Sequence, residues 1–154
     1  MTAARFPVVI LISGRGTNLQ AIVDEVRAGR LSIDIRAIIG NNPEAAGLKQ
    51  ARAAGLHTEV VDHRAYPTRA AFEQALAQAI DRHAPKLVAL AGFMRILGRE
   101  FIERYRGRLI NIHPSLLPKY PGLGTHARVL AAGETRHGAS VHFVIPDVDA
   151  GPVI

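Results

Sequence analysis

The chain has 154 residues, of which 48% are hydrophobic and 21% charged, a composition typical of one globular domain. It has no cysteine, which excludes disulfides, cysteine nucleophiles and thiolate metal sites and fits a reducing cytoplasm. The net charge of +6 comes from scattered arginines among few aromatic residues, so we expect an anionic small molecule rather than nucleic acid as partner. No apolar run approaches the ~20 residues of a membrane span, and we expect neither a secretion signal nor a membrane partner.

Short apolar runs alternate with amphipathic segments along the whole chain, which predicts strands alternating with helices. The runs at 8–12, 33–39, 57–61, 87–91, 109–112 and 139–145 predict strands, and residues 147–154 are predicted to form a loop that enters another strand. Helices are predicted over about 17–29, 44–54, 66–80, 98–105 and 124–132. This order predicts an α/β fold with a mainly parallel sheet flanked by helices.

A glycine-rich loop, residues 13–18, follows the first predicted strand, at the edge where ligands of parallel sheets bind. It lacks the lysine of a P-loop, and Leu19 stands where a dinucleotide-binding fingerprint has its third glycine. Two interpretations stay open. Gly16, Thr17 and Asn18 could cradle a phosphomonoester at the helix N-terminus, or Thr17 could simply cap the helix.

A second group of polar residues lies at the end of the strand predicted over 109–112. Asn111 and His113 are two residues apart, so they share one face, and the acids Asp147 and Asp149 come later. An amide, an imidazole and a carboxylate together suit acyl transfer, although a histidine that only hydrogen-bonds locally is the alternative. Ser115 lacks the surroundings of an activated nucleophile, which favours direct attack by a substrate. The histidines show no His-Glu-x-x-His pattern, and we expect no metal.

Five segments, taken in order, resemble the phosphoribosylglycinamide formyltransferases: residues 13–20, 91–97, 111–122, 137–143 and 147–152. The segment at 111–122, Asn-Ile-His-Pro-Ser-Leu-Leu-Pro-Lys-Tyr-Pro-Gly, is the most specific of them. The resemblance implies the Rossmann-like formyltransferase fold, with residues 1–154 as a single domain. It also implies that the family continues with a C-terminal strand and helix beyond the last residue of this chain.

The resemblance further implies an activity and its residues. The family transfers a formyl group from 10-formyltetrahydrofolate, a co-substrate, to the amine of glycinamide ribonucleotide in purine synthesis, by direct amine attack and without a metal. Gly16, Thr17 and Asn18 match the stretch that binds the substrate phosphate. Asn111, His113 and Asp149 match the family's catalytic trio. In that trio Asn111 would donate to the oxyanion, His113 would shuttle a proton, and Asp149 would support the protonated imidazole. Folate contacts match Arg69, Met94, Arg95, Ile96, Leu97 and Asn111. Whether the chain forms a homodimer stays open.

Three other functions were weighed against this one. Methionyl-tRNA formyltransferase would bring a larger basic domain, and formyltetrahydrofolate hydrolase an N-terminal regulatory domain, so the sequence disfavours both. A non-catalytic module that binds a phosphate ligand is the alternative from another class, because a fold does not fix a function.

Overall fold

A six-stranded sheet forms the centre of the structure, a computed structural model that describes residues 3–154. The strands are β1 (Phe6–Ile12), β2 (Ile33–Gly40), β3 (Thr58–Val60), β4 (Leu87–Leu90), β5 (Leu109–His113) and β6 (Ser140–Phe143). They lie in the order β3-β2-β1-β4-β5-β6, and only the pair β5 and β6 is antiparallel. The predicted mainly parallel α/β sheet is therefore confirmed.

In the described part of the chain, five α-helices flank this sheet near the predicted positions: α1 (Thr17–Arg27), α2 (Ala46–Ala53), α3 (Arg69–Asp81), α4 (Arg99–Arg104) and α5 (Thr125–Ala131). The helix expected from residue 44 begins later because Asn42 Oδ1 accepts the backbone N–H of Glu44 in a turn. The helix expected from residue 66 begins at Arg69 because Thr68 caps it, its hydroxyl accepting the N–H of Ala71. Within residues 3–154, no helix has the length and apolar character needed to cross a membrane.

The central strand β1 is buried on both faces from Pro7 to Ile12, as its continuous apolar run predicts. Val9 and Leu11 join a cluster with α3 and α4, while Val8, Ile10 and Ile12 join a second cluster with α1 and α2. Each of these side chains contributes roughly 1.5–3 kcal/mol when fully buried. The core therefore fixes β1, and with it the glycine loop that follows.

The strands β2 and β3 are added on one side of β1, and β4, β5 and β6 on the other, so the order of the sheet changes direction at β1. Connections from the carboxyl ends of β1 and β4 leave towards opposite sides there, which opens the crevice where ligands of such sheets bind. Because β5 pairs with β4, with Asn111 beside Leu90, its carboxyl end adjoins that crevice.

The last residues turn back along β6, as expected of a loop that enters another strand. Val153 forms an antiparallel bridge with His142, and the N–H of Phe143 donates to the carbonyl of Pro152 at 2.9 Å. Gly151 makes this approach possible, because a Cβ at that position would lie 1.7 Å from the carbonyl oxygen of Phe143. The packing therefore fixes the turn that carries Asp149 against β6.

Candidate active site

The glycine loop leaves the N-terminus of α1 without a side-chain cap. Gly16 is the N-cap residue, with φ +74°, and no side chain accepts a hydrogen bond from the first turn. The alternative interpretation of the loop, a cap supplied by Thr17, is therefore wrong, because Thr17 is already the first residue of the helix. The free N–H groups of this turn and the helix dipole favour an anion.

A small residue on the neighbouring helix lets the loop lie where it does. Gly47 of α2 donates its backbone N–H to the carbonyl of Gly14 at 3.0 Å. A Cβ on Gly16 would lie 2.8 Å from the Cα of Gly47, and a Cβ on Gly47 would lie 2.7 Å from Ile12 Cδ1. Sequence reasoning missed Gly47, since its position inside a predicted helix gives no sign of this contact.

An open cleft of about 680 Å³ joins the glycine loop to the segment after β4. Gly16, Thr17 and Asn18 line one part, and Met94 and Arg95 line another. The hydroxyl of Ser13 links the two loops, because it accepts the N–H of Met94 at 2.7 Å and donates to Asn41 Oδ1 at 2.6 Å. Two of the lining side chains, Arg15 and Arg95, are cationic.

The segment 94–97 presents apolar side chains to solvent and is anchored at its end. Met94 is 72% exposed and Ile96 69%, whereas Leu97 is buried in the core cluster with α3 and α4. Glu73 connects Arg69 to this segment, since its Oε1 accepts the N–H of Gly98 at 2.6 Å and lies 3.6 Å from Arg69 Nε. Leu97 is only 7% exposed, so its side chain offers little contact area to a ligand.

The structure brings the three residues of the predicted trio to one place at the end of β5. His113 is buried, with its Nδ1 3.4 Å from Asp149 Oδ2 and its Nε2 donating to the carbonyl of Tyr120 at 2.8 Å. A carbonyl can only accept, so Nε2 carries a proton. A carboxylate also only accepts, so Asp149 Oδ2 is placed to accept a hydrogen bond from Nδ1 whenever that nitrogen carries a proton.

His142 is a fourth member of this cluster, and sequence reasoning did not select it. It pairs with Asn111 across β5 and β6, and Asn111 Nδ2 lies 3.4 Å from its Nε2. That nitrogen is also 3.7 Å from Asp149 Oδ1, while Nδ1 donates to the carbonyl of Phe143 at 3.0 Å. The signal in the sequence was the alternation of Ser140 and His142 within one strand. The antiparallel direction of β6, which places His142 beside Asn111, was not predicted.

Asp149 is held in a strained turn. Its φ is +52°, a left-handed conformation that costs a non-glycine residue on the order of 1–3 kcal/mol. The N–H of Gly122 donates to its Oδ2 at 2.8 Å, so the loop 114–124 and the turn 147–150 meet at this carboxylate. The other predicted acid, Asp147, is exposed and does not join the cluster.

Ser115 has a structural position within the loop 114–124. Its side chain is fully buried, and its hydroxyl donates to the carbonyl of Lys119 at 2.6 Å. Ser140 Oγ donates to the carbonyl of Ser115 at 2.8 Å and accepts the N–H of Leu117 at 3.0 Å, which ties the loop to β6. This geometry agrees with the expectation that Ser115 is no nucleophile.

Within residues 3–154, one group of side chains brings potential metal-ligand atoms mutually close, and it lies elsewhere. It consists of His57, Glu59 and His83 at the edge strand β3, whereas the cluster of His113 and Asp149 lies at the end of β5. The candidate active site is thus defined by the uncapped helix, the cleft and the polar cluster of Asn111, His113, His142 and Asp149.

Comparison with known proteins places the chain in a family. The formyl transferase family matches residues 6–154. Phosphoribosylglycinamide formyltransferase of Escherichia coli (strain K12) is 50% identical over 147 residues, which cover 96% of this chain and 69% of that protein. The human trifunctional purine biosynthetic protein adenosine-3 is 44% identical over 147 residues, 96% of this chain but 15% of that protein.

Solved structures give the same result. The phosphoribosylglycinamide formyltransferase of Coxiella burnetii, in complex with CHES, superposes with a TM-score of 0.94 at 56% identity, covering 98% of this chain and 71% of that one. Glycinamide ribonucleotide transformylase 1 of Symbiobacterium toebii superposes with a TM-score of 0.93 at 43% identity, covering 97% and 71%. The chain therefore belongs to the phosphoribosylglycinamide formyltransferases, within the formyl transferase family.

Proposed function

We propose that this protein transfers a formyl group from 10-formyltetrahydrofolate to the amine of glycinamide ribonucleotide, a step of purine biosynthesis. The similarity to phosphoribosylglycinamide formyltransferases supports this reaction. The observation that carries the proposal is the arrangement at one edge of the sheet. The uncapped N-terminus of α1 follows β1, and a cluster with an amide, two imidazoles and a carboxylate lies at the end of β5.

The substrate phosphate binds at the N-terminus of α1. The N–H groups of Gly16, Thr17 and Asn18 donate to its oxygens, and the helix contributes about half a positive charge there. Arg15 and Arg95 add cationic side chains along the same cleft. The close packing of Gly16 against Gly47 supports this role, because it keeps the loop free of side chains at the approach to the anion.

The folate binds along the segment after β4. Met94 and Ile96, both largely exposed, offer apolar contact area to its ring system, and Leu97 contributes its backbone. Arg69 offers a cation to the carboxylate groups of the folate, at a position fixed by Glu73. Asn111, at the end of β5, contacts the formyl end of the same ligand.

The chemical step is attack of the substrate amine on the formyl carbon. A C–N bond forms, the carbonyl oxygen becomes an oxyanion, and the bond from carbon to N10 of the folate then breaks while a proton passes from the amine to N10. Asn111 Nδ2 donates to the oxyanion, which is typically worth about a hundredfold or more in rate. His113 moves the proton. Its Nδ1 faces Asp149, so Nε2 is the nitrogen that exchanges the proton, and it must first give up its hydrogen bond to the carbonyl of Tyr120.

The dependence of turnover on the amine substrate tests this proposal. The absorbance change of 10-formyltetrahydrofolate is followed with and without glycinamide ribonucleotide. We expect turnover only when the ribonucleotide is present. Equal turnover in water alone would select a formyltetrahydrofolate hydrolase, and binding of both ligands without turnover would select a non-catalytic module. The cytoplasmic location, the lack of a metal in the reaction and the lack of nucleic-acid or membrane partners stay predictions, and a homodimer stays open.

A further inference from the structure

We infer that His57, Glu59 and His83 form a binding site for one divalent cation of the zinc class at the edge of the sheet. The potential ligand atoms of these residues all lie within 4.8 Å of one another. Glu59 Oε2 is 2.7 Å from His83 Nε2 and 3.9 Å from His57 Nε2. Two imidazoles and a carboxylate are a donor set that zinc accepts in proteins, with solvent in the fourth position.

The backbone accounts for the meeting of these side chains. Glu59 lies in the edge strand β3 and His57 immediately precedes it; the two residues are two positions apart in extended chain, so their side chains point to the same side. His83 follows directly after α3, where its N–H donates to the carbonyl of Ile80. The C-terminal end of a helix carries partial negative charge, which favours a cation beside it.

Two of the three distances between ligand atoms lie close to those that an ion needs. Zinc bonds of about 2.0–2.2 Å in a tetrahedral arrangement separate neighbouring ligand atoms by about 3.3 Å. Glu59 Oε2 must therefore move about 0.6 Å away from His83 Nε2 and about 0.6 Å closer to His57 Nε2, while the third pair of ligand atoms, on His57 and His83, lies within 4.8 Å. His57 can make that movement through rotamer changes, because its side chain is 57% exposed.

The surroundings orient the carboxylate of Glu59. Arg82 Nη2 donates to Oε1 at 3.1 Å, which leaves Oε2 for the ion. Hydrogen bonds of this kind from outside the ligand set fix ligand orientation at metal sites. A bound cation would join β3 to the end of α3.

Calorimetric titration of the chelator-treated protein with zinc chloride tests this inference, with magnesium chloride as the comparison. We expect one zinc ion per chain, no magnesium binding, and a rise in melting temperature with zinc. In His57→Ala we expect zinc affinity to fall about tenfold or more and the rise in melting temperature at the same zinc concentration to become smaller. Formyl transfer by the chelator-treated parent should be unchanged, so this test is separate from that of the proposed function.

His126→Ala is the matched control, because exposed His126 and His137 form the other close histidine pair, with Nδ1 and Nε2 2.8 Å apart. This variant should bind zinc like the parent. No zinc binding by the parent, undiminished binding by both His57→Ala and Glu59→Gln, or loss of binding in His126→Ala would each overturn the inference.

Discussion

Replacing Gly151 with alanine tests whether formyl transfer depends on the exact position of Asp149. The added Cβ would lie 1.7 Å from the carbonyl oxygen of Phe143, whereas an acceptable carbon–oxygen contact is about 3.3 Å. The segment must therefore move by about 1.5 Å. Asp149 is two residues away, and its 3.4 Å approach to His113 Nδ1 cannot survive a shift of that size.

The expected loss follows from that displacement. A misplacement of about 1 Å in an active site can cost about a hundredfold in rate, so we expect kcat to fall about a hundredfold. The backbone hydrogen bonds of Phe143 to Pro152 and of Ile154 to Val141 also weaken, at about 1 kcal/mol each. Because this segment lies outside the main core clusters, the free energy of unfolding should fall by no more than about 2 kcal/mol, and the fold should be retained.

Steady-state kinetics with both substrates, together with thermal unfolding, measure these effects. Val148→Ala is the control, because Val148 lies in the same turn but is 57% exposed. It should retain nearly the parental kcat. A Gly151→Ala variant with parental kcat would refute the reasoning that this close contact positions Asp149.

Three further predictions concern the phosphate loop, the loop after β5 and an ion pair far from the site. Gly16→Ala places a Cβ 2.8 Å from the Cα of Gly47 at φ +74°, so the KM for the ribonucleotide should rise about tenfold or more while folate affinity, measured by calorimetry, is retained. Ser115→Ala removes a buried hydrogen bond, so chemical denaturation should show a loss of about 1 kcal/mol while kcat stays near parental, contrary to a covalent role. Partial burial raises the pKa of Asp81, but hydrogen bonds from Arg104 and Tyr105 outweigh it and hold the pKa below 3.8. The stability from Asp81 is therefore present above pH 3.8 and lost as pH falls through the lowered pKa. In Asp81→Asn, the free energy of unfolding, measured by urea denaturation, should decrease less as the pH is lowered.

Much of the fold could be predicted because local signals in this chain agree with the tertiary structure. The uninterrupted apolar run of β1 indicated a strand buried on both faces, and the two core clusters contain its alternating side chains. Helix starts were less accurate, since the cap at Thr68 and the turn at Asn42 depend on side-chain hydrogen bonds that periodicity does not report. The direction of β6 could not be read from alternation, which is the same for parallel and antiparallel strands.

Part of the candidate site could likewise be predicted from the sequence, and part could not. The spacing of Asn111 and His113 on one strand put them on a common face, and the resemblance added Asp149 from a distant turn. His142 was missed because its place beside Asn111 depends on strand pairing. Gly47 and the group of His57, Glu59 and His83 were missed because their contacts join segments that are far apart in sequence.

The central claim is that Asn111, His113 and Asp149 act together in formyl transfer, and single-turnover rates of their variants test it most directly. Asn111→Ala and His113→Ala should each slow the chemical step about a hundredfold or more. Asp149 acts through His113, so Asp149→Asn combined with His113→Ala should be about as slow as His113→Ala alone. Near-parental turnover in His113→Ala, or a double variant whose loss is the product of the two single losses, would contradict the account.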